Sequence, residues 1–161
     1  MAITEIGFYF LEKGLERTPK FILSRLLPAE KLKGKIDIDL RAENPIDINT
    51  AKMVPSIALW FEVVNRSSLN LTLEKVLLEV WLGQPTFAGA ILQSIVVPRA
   101  ERVKDIRFWQ DLSSAQVEQY EWFKKTNQME ITIYLKAYFV SKIGTIVLEK
   151  PIKRQLRTQG T

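Results

Sequence analysis

Two periodicities divide the chain. Before about residue 35 apolar positions recur at helical spacing; after it they alternate. At 100° per residue Ile3, Ile6, Gly7, Phe8, Phe10, Leu11, Gly14 and Leu15 fall on one broad arc. Glu5, Glu12, Lys13 and Glu16 fall opposite, so the spacing predicts a helix over residues 3–17. Thr18-Pro19 then reads as an N-cap followed by Pro at the first helical position. A second short helix is expected there, with Ile22, Leu23, Leu26 and Leu27 sharing a face and Pro28 and Gly34 closing it. The predicted organisation is a helical N-terminal arm over 1–34 and a β-sandwich domain over 35–161.

From Lys35 the period is two. KIDIDL sets Ile36, Ile38 and Leu40 against Asp37 and Asp39. SIALWFEVVN places Ile57, Leu59, Phe61 and Val63 on one face, with Trp60 on the other. EKVLLEVWLG groups Val76, Leu78, Val80 and Leu82. Residues 87–98 and 102–110 are less regular strands. The cleanest strand is QMEITIYLKAYFV, in which Met129, Ile131, Ile133, Leu135, Ala137 and Phe139 face one way. Ser141-Lys142-Ile143-Gly144 turns the chain into a partner strand from Thr145 to about Ile152. One helix interrupts the series: Ser113 with Gln116 three residues on is a capping box, followed by Val117, Tyr120 and Phe123 at helical spacing. About seven short strands with one apolar face each predict a mainly β fold, an antiparallel immunoglobulin- or fibronectin-like sandwich with one inserted helix.

Between two strands lies the polar break Asn65-Arg66-Ser67-Ser68. Asn65-Arg66-Ser67 and Asn70-Leu71-Thr72 both fit the N-glycosylation acceptor pattern. The N-terminus has no basic leader and Glu5 and Glu12 interrupt its apolar run, so neither a secretory signal nor a membrane span is expected. Cytoplasmic residence, peripheral to a membrane at most, follows as the expectation. The sequons then read as chance, and the break reads as a turn between neighbouring strands.

Composition narrows the chemistry. Cysteine and histidine are both absent from the 161 residues. Thiol catalysis, thiolate metal sites and imidazole acid–base work are therefore excluded. No glycine-rich phosphate loop occurs. Asp37 and Asp39, with Glu43 and Asp47 nearby, have the donor type for calcium but not the spacing of a binding loop; a solvated strand face is the reading. Ser113 and Ser114 cap a helix rather than attack a substrate. No catalytic residue, metal or cofactor is implied, no small-molecule substrate is evident, and the chain is read as non-enzymatic. The net charge is +5 and the pI about 9.5. Positive charge gathers at the two ends of the chain, in Lys13, Arg17, Lys20, Arg25, Lys31, Lys33 and Lys35 and again in Lys150, Lys153, Arg154 and Arg157.

The polar break also carries a resemblance. Asn65-Arg66-Ser67, Leu71-Thr72-Leu73, Val76, Val80, Leu82 and Gly83 resemble the β-domain of the late-embryogenesis-abundant water-stress proteins. There an Asn-Pro-Asn turn leads into a Leu-Thr-Val-like run and a strand ending in Gly. Ile95-Val96-Val97-Pro98, the helix at 114–124 and the hairpin from Tyr138 to Gly144 follow in matching order. The resemblance spans roughly residues 54–152; Asn-Arg-Ser replaces Asn-Pro-Asn. It implies a sandwich with one helix and a non-enzymatic role in stress protection or in binding at a membrane or envelope.

The function expected is a non-catalytic interaction module that binds a protein partner, or assembles with itself, through its arm and adjoining basic surface. Phe8, Phe10, Leu11, Leu15, Lys20 and Arg25 are the candidate arm contacts, and Trp60 and Trp81, read as cross-strand neighbours, the candidate sandwich contacts. Two alternatives stay open. The arm's apolar face followed by basic residues also suits an anionic membrane surface, as a peripheral or stress-protective protein. Tyr134, Lys136 and Tyr138 on one strand face are the aromatic-plus-basic pattern of a nucleic-acid module, against which Glu130 and the modest charge argue.

Overall fold

In the computed structural model Lys20, Leu23, Arg25, residues 27–126 and residues 130–156 are described. Besides helical positions at Lys20, Leu23 and Arg25, two helices and nine strands are delimited among them: α1 (Ala29–Lys33), β1 (Ile36–Leu40), β2 (Ile46–Asn49), β3 (Ser56–Asn65), β4 (Leu71–Trp81), β5 (Pro85–Ile91), β6 (Ile95–Val97), β7 (Arg102–Asp111), α2 (Ser114–Lys125), β8 (Glu130–Ser141) and β9 (Gly144–Gln155). All pairings are antiparallel. The chain is mainly β, in two sheets packed as a sandwich.

In the four-stranded sheet β3 is central. β7 lies along one side of it, while β1 pairs with its second half and β2 with its first. β1 and β2 are thus two pieces of one broken edge, with Trp60 donating to Pro45 and accepting from Arg41 across the break. The five-stranded sheet repeats the device. β5 and β6 pair with successive parts of β4, followed by β8 and then β9.

The alternating apolar positions define the core. Ile57, Leu59, Phe61 and Val63 of β3 face Val76, Leu78 and Val80 of β4 and Ile131, Ile133, Leu135, Ala137 and Phe139 of β8, all buried. Each such side chain contributes about 1.5–3 kcal/mol when withdrawn from water, which fixes the register of every strand that carries the pattern. Along one side of the sandwich Gly89 of β5 lies against Phe108 of β7, and Phe108 stacks with Phe87 at 6.3 Å. A Cβ on Gly89 would stand 2.5 Å from the Phe108 ring, so glycine here permits the closure. Along the other side β9 reaches β1 through ion pairs. Lys150 contacts Asp37 and Asp39 at 2.9 and 3.9 Å, and Arg154 contacts Asp39 at 2.9 Å. Two of the carboxylates considered for calcium, Asp37 and Asp39, therefore hold cations of the chain itself.

α2 closes one end. Its capping box forms as the sequence predicts, with Gln116 N–H donating to Ser113 Oγ and Ser113 N–H to Gln116 Oε1. Phe123 enters the core, and Gln116 and Gln119 bond to Thr86 at the start of β5. At the other end is the polar break, where two expectations need correction. Consecutive strands β3 and β4 are not neighbours, because the turn carries the chain from one sheet to the other. Nine strands replace seven, because β2 is a four-residue edge piece and residues 85–97 hold two strands rather than one. In the N-terminal part, Lys20, Leu23 and Arg25 are helical and Leu27 N–H donates to Leu23 O. Pro28 follows the last of these helical positions and is also the N-cap of α1, extended at φ −62° and ψ 145°. The helix expected over 3–17 lies outside the described residues.

Candidate functional site

The crossing turn is organised by one side chain. Asn65 is fully buried and its amide donates to the carbonyls of Leu69 (2.8 Å), Val97 (3.2 Å) and Pro98 (3.0 Å). Its Oδ1 accepts from the Ser67 N–H (3.0 Å) and hydroxyl (2.6 Å). The nitrogen a glycan would occupy is thus committed inside the fold, which gives the chance reading of this sequon a structural reason. Asn65 is a structural centre.

Trp60 and Trp81 are not neighbours. Trp60 lies on β3 in the four-stranded sheet and Trp81 on β4 in the five-stranded one. The expectation followed the similar face patterns of the two strands, and periodicity does not say which strands share a sheet. Trp60 is roofed by guanidiniums: Arg41 stands 4.5 Å and Arg107 5.6 Å from its ring centroid. Arg41 is itself anchored to Asp105 and to the Asn44 carbonyl. Asp105 sits in the left-handed region (φ 63°) at a β-bulge in β7, a conformation Asp tolerates better than most residues.

Trp81 belongs to a broader and more open surface, the outer face of the five-stranded sheet. Cross-strand register lines up Ala90 with Leu77 and Leu77 with Lys136, which in turn faces Glu149. The next row runs Ala88, Glu79, Tyr134 and Pro151. The Trp81 and Tyr134 rings meet edge to face at 5.3 Å, and the indole N–H donates to Glu79 at 3.0 Å. Such a contact is worth about 0.5–1.5 kcal/mol beyond area burial and sets both rings. Leu77 is 38% and Tyr134 44% exposed. Between β4, β8 and β9 a shallow groove of about 450 Å³ is lined by Leu77, Glu79, Tyr134, Lys136, Glu149 and Pro151, among others.

The groove's ions pair with each other. Lys136 and Glu149 form a salt bridge, and Lys75 and Lys136 both lie over the Tyr138 ring, at 4.3 and 5.8 Å. The hydrogen bond to Glu149, reinforced by its charge, holds the Lys136 ammonium above the usual lysine range. The same bond to Lys136, then its charge, holds the Glu149 carboxyl below the usual carboxylate range. Both shifts secure the charged forms, the reverse of what an acid or base poised near neutrality requires. Burial, then the Glu121 charge, raises the Tyr120 hydroxyl, on α2 away from this face. Among the described residues no cluster of acidic side chains has metal-binding geometry, and no helix is long and apolar enough to cross a membrane.

The other candidate residues divide. Lys20 and Arg25 are exposed; Phe8, Phe10, Leu11 and Leu15 lie outside the described residues. Tyr134, Lys136 and Tyr138 do share the outer face. Leu77, Glu79, Glu149 and Pro151 were absent from the expected site. Their signal was the outward half of each strand's alternation, which becomes a surface only once the strand order is known.

No family model and no curated protein matches the chain. Solved structures do. An X-ray structure of a structural-genomics target is 15% identical, covers 80% of this chain and 91% of its own, and superposes with a TM-score of 0.50. A crystal structure of an Archaeoglobus fulgidus protein is 10% identical over 76% of this chain and 96% of its own, with a TM-score of 0.45. A solution structure assigned provisionally to the late embryogenesis abundant proteins is 13% identical over 92% of this chain and 90% of its own, with a TM-score of 0.40.

Proposed function

We propose that this chain is a non-catalytic interaction module that holds an amphipathic helical segment of a protein partner on the outer face of its five-stranded sheet. The observation that carries this reading is the cluster of Leu77, Tyr134 and Trp81, which come from three successive cross-strand rows and are set among Ala88, Ala90 and Pro151, and which no described element covers. One face of an antiparallel sheet is often solvated, but a cluster of exposed apolar and aromatic side chains on it is a place where a partner element can pack. Tyr and Trp suit the role, offering large contact area at small entropic cost and a polar edge for orientation. Lys136 and Glu149 compensate each other across the groove, and Glu79 accepts from the Trp81 indole, so the groove's polar groups are engaged with one another around its apolar residues. The sheet order, three positions facing four, supports the fibronectin-like variant of the sandwich.

A photo-crosslinking residue at Leu77 tests the reading, with the same residue at Glu62 on the opposite sheet as control. Capture of a defined polypeptide segment from Leu77 alone, lost when Tyr134 is replaced by Lys, is the expected result. Equal capture from both positions, or capture indifferent to Tyr134→Lys, would refute it.

A further inference from the structure

We infer that Lys75 and Glu79 set the direction of the helix held on this face, with an acidic residue of that helix over Lys75 and a basic one over Glu79. This inference rests on the helix-holding reading above and names the chemistry of the partner.

The apolar side chains of the face follow β4. Leu77 comes first, Tyr134 stands in the next row opposite Glu79, and Trp81 lies one row further. A helical ridge seated on this line therefore runs along β4. Lys75 lies just before Leu77, opposite Tyr138, with its ammonium over the Tyr138 ring at 4.3 Å. Glu79 lies just after Leu77 and accepts from the Trp81 indole N–H at 3.0 Å. A ring and a neutral donor orient these two side chains without cancelling their charges. Other ions of the face are cancelled: Lys136 pairs with Glu149, and Lys153 with Glu130. Lys150, beside the groove, turns to Asp37. Glu74, exposed at the β4 bulge next to Lys75, forms no ion pair with it among the described residues. A docked helix thus meets an open cation on one side of Leu77 and an open carboxylate on the other.

The spacing defines the partner's pattern. Lys75 and Glu79 are four strand positions apart, about 13 Å. Positions i and i+7 of a helix share a face and are about 10.5 Å apart, a difference that long side chains span. Leu77 stands midway, where such a helix presents i+3 and i+4. An acid at i, apolar residues at i+3 and i+4 and a base at i+7 therefore match the face. Turned end for end, the same helix would set acid against Glu79 and base against Lys75. Like charges opposed at both places exclude that direction, which is how rim ions give specificity.

The probe is a synthetic amphipathic helix of about five turns, with an apolar ridge, Glu at i, Lys at i+7 and a nitroxide at its N-terminus. Titrated into the intact ¹⁵N-labelled chain, it should broaden the amides of Thr72, Val140 and Thr145, which lie beyond Lys75. It should spare those of Trp81, Thr132 and Lys153, beyond Glu79. Exchanging Glu and Lys in the peptide should move the broadening to the second set, and Lys75→Glu with Glu79→Lys should reverse the result for each peptide. Broadening of the same set by both peptides, or of both sets equally, would overturn the inference. If that direction-blind broadening is still abolished by Tyr134→Lys, the helix-holding reading stands and this inference alone falls. If the peptides broaden neither set, or Tyr134→Lys changes nothing, both fall.

Discussion

Removing the Asn65 side chain tests whether the crossing turn is held by its hydrogen bonds or only by the apolar residues around it. In Asn65→Ala the Ser67 N–H loses its acceptor, and the Val97 and Pro98 carbonyls lose the amide that approaches both. The Leu69 carbonyl keeps the Ser67 hydroxyl at 3.2 Å, so it is not fully orphaned. Water reaches neither Asn65 nor Ser67 freely, as both are buried. A buried polar group left unpaired costs about 1–3 kcal/mol. Two such groups after relaxation give about 2–5 kcal/mol, a large share of the ~5–15 kcal/mol of a typical domain. At about 2–4 °C per kcal/mol for this chain length, the melting temperature should fall by roughly 4–20 °C. Urea unfolding followed by tryptophan fluorescence measures the loss as a shift in midpoint at unchanged slope. Ser67→Ala should cost less, about 1–2 kcal/mol, because Asn65 retains its three carbonyls. The double variant should cost less than the sum, since both side chains serve one network. A loss under about 1 kcal/mol for Asn65→Ala would refute the reasoning and return the turn to its leucines.

Two further outcomes follow from local geometry. Gly89→Ala should destabilise by about 1–3 kcal/mol through overpacking, and Phe108→Leu should recover part of that loss in the double variant, read by the same unfolding assay. An NMR titration of Glu149 should place its midpoint below that of an ordinary glutamate, and Lys136→Met should return it upward. Its depressed pKa means that its share of stability is present above the unfolded value and lost as pH falls through the folded one. The Lys136 share has the opposite sign, present below the unfolded lysine value and lost as pH rises through the folded one, so the pair acts together only between the two.

The sequence by itself determined the mainly β class, the inward face of the long strands and the capped helix. Each is a local property: period-two alternation reports one buried face, and Ser113 with Gln116 completes its bonds within one helical turn. It missed β2, because Ile46–Asn49 is too short for alternation to stand out beside Pro45 and Asn44. It misplaced the partners of Trp60 and Trp81 for a different reason. Alternation is identical whether a strand's neighbour is next in the chain or far along it, so strand order is invisible to it. That order follows from long-range packing: Asn65 bonding Val97 and Pro98 across more than thirty positions, Phe108 filling the space Gly89 leaves, Lys150 reaching Asp37. The candidate surface is a product of the same order. Leu77, Tyr134 and Pro151 are unremarkable outward residues on three separate strands, and only the pairing of β4, β8 and β9 makes them one face.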